Sequence, residues 1–402
     1  MNNFNLSLAV IGLLFLSGSA SAIDLTDYKV IEGTYSDAYV DGSLNVNDDS
    51  DKEQTSYNAV IKADLESVHT TAPYTLEYAL QGQGSFFRGS DDNSSSESQY
   101  DTTAHVEVNK YINNDDTFFV YGNTKLGYQK LSSASSASDP FVKVGAGVGY
   151  GRMYIATPLA NAMRIAEDLQ AYKIIKADVS DKALMDLAKV IGLESEFASK
   201  YGSNEYRQYW YSEMEKVLKE NKALVNDSLS ATGIVRLDEI LSTNDSRGVL
   251  DRLHGWTVQA GAGQVLSDYN GDDGDTTVDV EFDYALPFGY TSQLRETLST
   301  SKVLNSDSTF DYTMGNRLKY TYEISDKVDW INTWNLKYLK ANEAGDDVTT
   351  NVLGTTFRYY LANQLTFNTT LSLSNVDGNN LGFVETKGWN TALTSSISYR
   401  LK

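Results

Sequence analysis

The sequence predicts an all-β, transmembrane, antiparallel up-and-down β-barrel of about fourteen strands, with roughly twelve to sixteen strands consistent with the pattern. The prediction depends on an apolar leader, on long segments that alternate between apolar and polar residues, and on connections that are alternately short and long. One central segment lacks this alternation and predicts an α-helical insertion.

The first 22 residues have the features of a signal peptide. Residues 6–16 form an apolar run, and residues 20–22 supply a small-residue cleavage site, so the mature chain is expected to begin at Ile23. No later stretch offers the roughly twenty apolar residues that a transmembrane helix needs. The chain is therefore expected to be exported and to cross no membrane as a helix.

Residues 23–154 and 254–402 carry the predicted strands. In residues 310–322, for example, the even positions are mostly aromatic or aliphatic and the odd positions are polar or glycine. Strands of soluble proteins usually have about five or six residues, whereas these have ten or more, with aromatics near both ends, as tilted membrane strands do. The predicted strands are 34–47, 56–67, 73–87, 98–111, 116–131, 140–153, 255–268, 276–287, 290–302, 308–323, 327–340, 348–361, 363–375 and 386–402.

Composition agrees with long membrane strands. The chain has 27 Tyr and 29 Gly but 4 Pro, and proline is disfavoured in strands because it lacks the backbone donor. A net charge of -21 argues against nucleic acid as a partner. Because cysteine is absent, disulfides and cysteine metal sites are excluded.

The last strand provides a further indication of class. Trp389, Leu393, Ile397, Tyr399 and Leu401 share one face of it. This strand resembles the C-terminal strand of porin-like outer-membrane β-barrel proteins of Gram-negative bacteria, with Leu401 in place of the usual terminal aromatic and Lys402 beyond it. The resemblance is to the class and to no specific family. It implies an outer-membrane location, contact with outer-membrane lipid, and recognition of the last strand by the outer-membrane assembly machinery.

Residues 155–253 change to helical periodicity and predict a separate domain, which the strand count puts on the periplasmic side or inside the lumen as a plug. Four helices are predicted: one with Thr157 as N-cap and Pro158 after it, one from Ser180 to Gly192, one capped by Asn204, and one over Ile234 to Leu241. This domain is the candidate docking site for a periplasmic protein.

Glycines occupy one face of the strands that flank the insertion. They are Gly145, Gly147, Gly149 and Gly151 before it, and Gly261 and Gly263 after it. A strand without side chains allows close approach of other groups, so these glycines are predicted to pack against the insertion. Tight barrel curvature is the alternative explanation.

Charged residues at inward positions are predicted to line a pore. Strands three and four contribute Glu77, Asp101, His105 and Glu107, and strands nine to twelve contribute Arg295, Arg317, Lys319, Lys337 and Arg358. The two groups lie roughly opposite each other in a fourteen-stranded ring, which predicts an electric field across the lumen. A closed interior in which these charges pair is the alternative.

Signals for enzymatic chemistry are weak. The chain has 3 histidines at no metal-ligand spacing, and His105, beside Asp101 and Glu107, is the best acid/base candidate. The Asp-rich loop 268–275 invites a calcium interpretation, although turn chemistry explains its composition. We therefore expect no enzyme, no metal and no cofactor.

Channel function is the leading hypothesis: a porin-like barrel that passes small polar or anionic solutes, with the helical insertion as lid, plug or docking domain. The first alternative is an outer-membrane anchor whose helical domain binds a periplasmic partner in envelope assembly or surface export. The second alternative is a barrel-embedded hydrolase.

Overall fold

The computed structural model describes residues 23–48, 54–113, 117–130, 139–247, 251–269, 271, 274–304, 310–341, 347–362, 364–378 and 385–401, with backbone alone at 243–247 and 310. The predicted signal peptide, much of the Asp-rich loop and Lys402 lie outside the described residues.

The strands form one closed antiparallel barrel in which each strand pairs with its sequence neighbours and β1 pairs with β14. The prediction of about fourteen strands is confirmed. The strands are β1 Gly33–Asn47, β2 Ser56–Thr70, β3 Tyr74–Arg88, β4 Glu97–Tyr111, β5 Phe118–Lys130, β6 Phe141–Ile155, β7 Leu253–Ser267, β8 Thr276–Phe288, β9 Ser292–Val303, β10 Phe310–Ser325, β11 Val328–Ala341, β12 Val348–Ala362, β13 Leu365–Asp377 and β14 Asn390–Arg400.

The outer face of the barrel is an apolar belt. Large apolar side chains at alternate positions of the strands are exposed there, among them Leu44, Phe86, Val148, Leu298 and Ile397. A closed barrel satisfies every backbone hydrogen bond between its strands, which a bilayer requires of any structure that spans it. With its even strand number, the chain is an outer-membrane β-barrel of the Gram-negative type.

The two ends of the barrel differ, and we name them by their connections. The terminal rim carries the start of β1, the helical insertion and short turns such as 71–73 and 289–291, whereas the loop rim carries longer connections such as 89–96. In outer-membrane barrels short turns face the periplasm. We therefore expect the terminal rim to be the periplasmic end.

The helical domain lies between β6 and β7 and contains, in the described part of the chain, five α-helices: α1 Thr157–Ala171, α2 Asp181–Gly192, α3 Glu194–Tyr201, α4 Tyr206–Glu220 and α5 Ala231–Arg247. Ser180 caps α2 and Gly192 ends it, as predicted. The prediction of four helices was wrong because α3 buries no residue and so shows no apolar stripe. Two predicted caps were also wrong: α1 is preceded by Ala156, and α4 by Glu205. None of the described helices is both long and apolar enough to cross a bilayer.

An N-terminal segment, residues 23–32, is part of this domain's core. Ile23, Leu25 and Tyr28 are buried together with Leu159, Trp210 and other apolar residues of the helices. The short 3-10 helix Leu25–Asp27 contacts β7 and β8, which lie on the far side of the ring from β1. The segment therefore crosses the mouth of the barrel at the terminal rim before β1 begins.

Candidate functional site

The lumen is the candidate site. All the predicted pore-lining residues lie at inward-facing positions of the paired strands. Glu77 pairs with Glu107, His105 lies opposite Lys125, and Arg295 lies opposite Lys319. Asp101, Arg317, Lys337 and Arg358 occupy the same inward rows. The apolar residues that alternate with these positions are exposed on the outer face. The structure thus brings the nine side chains to one inner surface.

Inward-facing cations keep contact with solvent. Lys125, Arg317, Lys319 and Lys337 are exposed although they point into the barrel. Among the inward acids, Asp101 is exposed and Asp279 is half-buried, where it forms a 2.9 Å ion pair with Lys143. Exposure of inward side chains means that this part of the lumen has room for water.

One ion pair crosses the lumen near the terminal rim. Arg295 Nη1 lies 3.2 Å from Glu66 Oε1. Glu66 belongs to β2 and Arg295 to β9, and these strands are seven positions apart in the ring of fourteen. The pair therefore joins opposite walls. Sequence analysis identified Arg295 but missed Glu66. Glu66 lies in the inward row of β2, and this position could have predicted it as a lumen residue.

A second set of contacts narrows the rim between β1 and β6. A Cβ at Gly33 would lie 3.4 Å from Ile155 Cδ1 of β6. Arg152 donates from Nη2 to the carbonyl of Ala72 at 3.1 Å, and its guanidinium lies 3.5 Å from the ring centroid of Tyr111. Strands that are distant in the ring thus meet at this end.

The glycine face of β6 accommodates aromatic rings of β5. A Cβ at Gly149 would overlap the ring of Phe119, and one at Gly147 would overlap Tyr121 and the backbone of β7. Phe119, Tyr121 and Tyr111 form a buried aromatic cluster. Of the other predicted positions, Gly145 faces Asn123, Gly151 faces the carbonyl of Trp256, Gly261 faces Tyr121, and Gly263 faces Lys143 and Asp279. The nearest atoms thus come from the barrel wall, and packing of the helical domain on these glycines stays a prediction.

The helical domain is attached to the rim through a buried ionic cluster, which we call the rim cluster: Arg164 of α1, Arg252 before β7 and Glu323 of β10. Arg164 Nη2 lies 2.5 Å from Glu323 Oε2, and Arg252 Nη2 binds Glu323 Oε1. Arg252 is 0% exposed and Glu323 is 7% exposed. Buried charges of opposite sign compensate one another only when all partners are present, so this cluster specifies how the domain sits.

Aromatic contacts extend the rim cluster. The guanidinium of Arg164 lies 4.9 Å from the ring centroid of Tyr290, in the turn between β8 and β9, and the Tyr290 hydroxyl donates to Glu167. His254 Nε2 lies 2.7 Å from the carbonyl oxygen of Tyr28, which ties the N-terminal segment to the start of β7. Burial raises the pKa of the Tyr28 hydroxyl to about 12.

Asp251 adds a titratable group beside the rim cluster. Burial raises the pKa of its carboxyl from 3.8 to about 7, the nearby Asp37 raises it further, and Arg400 and Arg252 oppose the shift. Burial likewise lowers the pKa of Arg252, against the effect of Glu323. Because the folded-state pKa of Asp251 is raised, the folded protein loses stability from this group as pH rises from 3.8 to about 7.

The predicted acid/base group is not assembled into a catalytic arrangement. Glu107 accepts hydrogen bonds from Asn123 Nδ2 at 3.3 Å and from Gln259 Nε2 at 3.2 Å, rather than from His105. Within the described residues, no set of three His, Asp or Glu side chains is arranged to hold a metal ion. The inner surface therefore presents charged side chains, and His105 forms no hydrogen bond to Glu107 among the described contacts.

Comparisons with known proteins give structural likeness alone. No family model and no curated protein matches this sequence. The chain is similar to an outer membrane channel from Pseudomonas putida F1, at 11% identity over 94% of this chain and 100% of that chain, with a TM-score of 0.31. It is similar to OccAB1 of Acinetobacter baumannii, at 8% identity, 92% and 97% coverage and a TM-score of 0.33. It is also similar to CdiB from Escherichia coli, at 6% identity, 90% and 62% coverage and a TM-score of 0.41. These likenesses carry no argument about activity.

Proposed function

We propose that this outer-membrane barrel is a channel for small polar solutes, with a preference for anions, and that it is closed at its periplasmic end in this conformation. The observation that carries the proposal is the exposure of Lys125, Arg317, Lys319 and Lys337 inside the barrel. A barrel that served as an anchor alone could fill its interior with packed side chains, as small barrels do. Exposed inward cations instead need a lumen that holds water.

The anion preference follows from the charges that solvent can reach. Among the fully exposed inward side chains of the described strands, five are cations and two, Asp64 and Asp101, are acids. Glu77, Glu281 and Asp283 are half-buried, Glu107 is buried, and Glu66 is paired with Arg295. Charges on a narrow wall set the local concentration of permeating ions. An excess of accessible positive charge therefore favours anionic solutes.

Closure depends in this proposal on the Glu66–Arg295 pair, with the helical domain and the N-terminal segment on its periplasmic side. The test is single-channel recording in planar bilayers of the wild type and of the double variant Glu66→Gln, Arg295→Gln. Because neutral side chains replace a charge-assisted contact between opposite walls, we expect the open probability to rise roughly tenfold.

A matched control is the double variant Lys340→Gln, Asp347→Asn, which removes an exposed 3.6 Å ion pair at the loop rim. It should leave the open probability unchanged. If neither the wild type nor the Glu66→Gln, Arg295→Gln variant conducts ions, the channel proposal fails.

Docking of a periplasmic partner is the second candidate, and one observation favours it. On the surface of the helical domain, Tyr201 stacks on Tyr209 with ring centroids 4.0 Å apart, and Tyr209 is 40% exposed. Exposed aromatic residues are common at protein interfaces. A photo-crosslinking residue at position 209 would test this candidate in intact cells, with position 178, an exposed residue between α1 and α2 near the opposite end of α4, as control. Equal labelling at both positions would count against it.

A further inference from the structure

Three polar side chains surround Leu318 on the lipid-facing side of the barrel. Glu296 of β9 lies directly opposite Leu318, and Asn316 is two residues before Leu318 on β10. Asn332 of β11 lies opposite Tyr320, one outward position further along β10. We call these four residues, Glu296, Asn316, Leu318 and Asn332, the β9–β11 patch.

The β9–β11 patch lies away from both rims, within an otherwise apolar belt. Leu318 is in the middle of β10, which runs from Phe310 to Ser325. Outward positions on strands β5 to β8 are apolar and exposed, among them Val120, Leu126, Val148, Val258 and Val280. In the outward rows of the described strands, Glu296 is the acidic residue that lies away from both rims. A bilayer core is a costly surrounding for a carboxylate and two carboxamides.

The polar groups of the patch lack partners within the described part of the chain. The Oδ1 atom of Asn316 is buried without a hydrogen-bond partner. No hydrogen bond or ion pair to the described residues occupies the side chains of Glu296 and Asn332. A polar group in an apolar surrounding is expensive unless it is hydrogen-bonded, so the half-buried side chains of Glu296 and Asn332 need a donor and an acceptor from outside the chain.

We infer that the β9–β11 patch is the interface at which two copies of this chain associate in the membrane. A two-fold axis along the membrane normal brings β9 of one copy against β11 of the other. Glu296 of one copy, a hydrogen-bond acceptor, then faces β11 of the second copy, which carries the donor Asn332. The set is complementary to itself, which is why a second copy is the occupant.

Cysteine crosslinking gives a direct test because the chain has 0 cysteines. Leu318→Cys places a thiol at the centre of the patch, and Leu126→Cys places one at a more exposed lipid-facing position on β5. In native membranes under mild oxidation, we expect the disulfide-linked dimer to form roughly tenfold more with Leu318→Cys than with Leu126→Cys. Equal and low yields from the two variants would overturn the inference.

A second arm separates the polar contacts from chance collision. Adding Glu296→Leu, Asn316→Leu and Asn332→Leu to Leu318→Cys should lower the crosslinked fraction by about tenfold, because leucine is suited to lipid and removes the hydrogen bonds. A crosslinked fraction that does not fall would overturn the inference. Mass spectrometry of the crosslinked species must show two copies of this chain. A different protein in the adduct would also contradict it.

Discussion

Arg252 is the side chain on which the attachment of the helical domain depends most. It is fully buried, its guanidinium binds Glu323 and the carbonyl of Tyr290, and its backbone amide donates to Thr157 at 3.0 Å. A single residue thus links the first turn of α1, the turn between β8 and β9, and the wall at β10.

Arg252→Met should weaken this attachment strongly. The substitution leaves part of the charge of Glu323 buried without its partner, so we expect a loss of about 3–5 kcal/mol in the free energy that holds the domain on the rim. Limited proteolysis of the folded protein detects this loss as faster cleavage within the helical domain. Arg207→Met is the control, since Arg207 pairs with Asp238 at 45% and 44% side-chain exposure and contributes less than about 1 kcal/mol. Equal protease sensitivity of the two variants would contradict this account.

Sequence could predict the lumen residues but not the rim cluster. Arg317 and Lys337 lie in rows whose period of two reveals the inward direction. Arg164 and Arg252 lie in a helix and in a connection, where no alternation marks a partner, and Glu323 is 159 residues from Arg164. Such an ionic contact exists only once the domain has docked.

At the scale of elements, β5 and β6 fit together as aromatic side chains against glycine. Phe119 of β5 is fully buried and lies directly opposite Gly149 of β6, with the ring of Tyr111 5.3 Å away between centroids. Aromatic packing over glycine compensates for the weakness of glycine in a strand. The glycine face predicted from sequence is therefore occupied by a neighbouring strand.

Gly149→Ala should destabilise the barrel by about 1–3 kcal/mol, because the new methyl group overlaps the buried ring of Phe119. Gly42→Ala, where no atom lies within 4 Å of the added Cβ, should change stability by less than about 0.5 kcal/mol. Urea unfolding in lipid vesicles, followed by tryptophan fluorescence, measures both. Adding Phe119→Leu to Gly149→Ala should restore part of the loss. Equal stability of the two alanine variants would show that the ring of Phe119 does not limit the space for a side chain at position 149.

At the same scale, the helices show what periodicity can and cannot reveal. The helix α2 has buried leucines at helical spacing and a side-chain cap at Ser180, so its bounds follow from the sequence. The helix α3 has no buried residue, and its stacked Phe197 and Tyr201 gave no apolar stripe. A helix stabilised mainly by its neighbours leaves little trace in its own pattern.

For the whole molecule, the charge pattern of the lumen predicts ion selectivity. In the Glu66→Gln, Arg295→Gln background, replacing Lys125, Arg317 and Lys337 by Gln should lower the chloride-to-potassium permeability ratio severalfold, because accessible positive charge leaves the wall. Reversal potentials in a KCl gradient measure the ratio. Lys302→Gln is the control, because Lys302 lies outside the inward rows and binds Asp311. A ratio that does not respond to the inward substitutions would exclude these residues as the selectivity element.

The N-terminal segment has a consequence for how the molecule matures. Tyr28 reaches His254 across 226 residues of sequence. In a flat, unclosed sheet, β1 and β7 are six strand spacings apart, or about 29 Å. The segment can therefore enter the core of the helical domain only after the sheet has curled. We therefore expect its docking to be a late, long-range step, because the entropy of closing so long a loop must be paid before the contact forms. A barrel that stalls before closure leaves the apolar site for Leu25 and Tyr28 open, and so presents periplasmic proteases and chaperones with a recognisable sign of incomplete assembly.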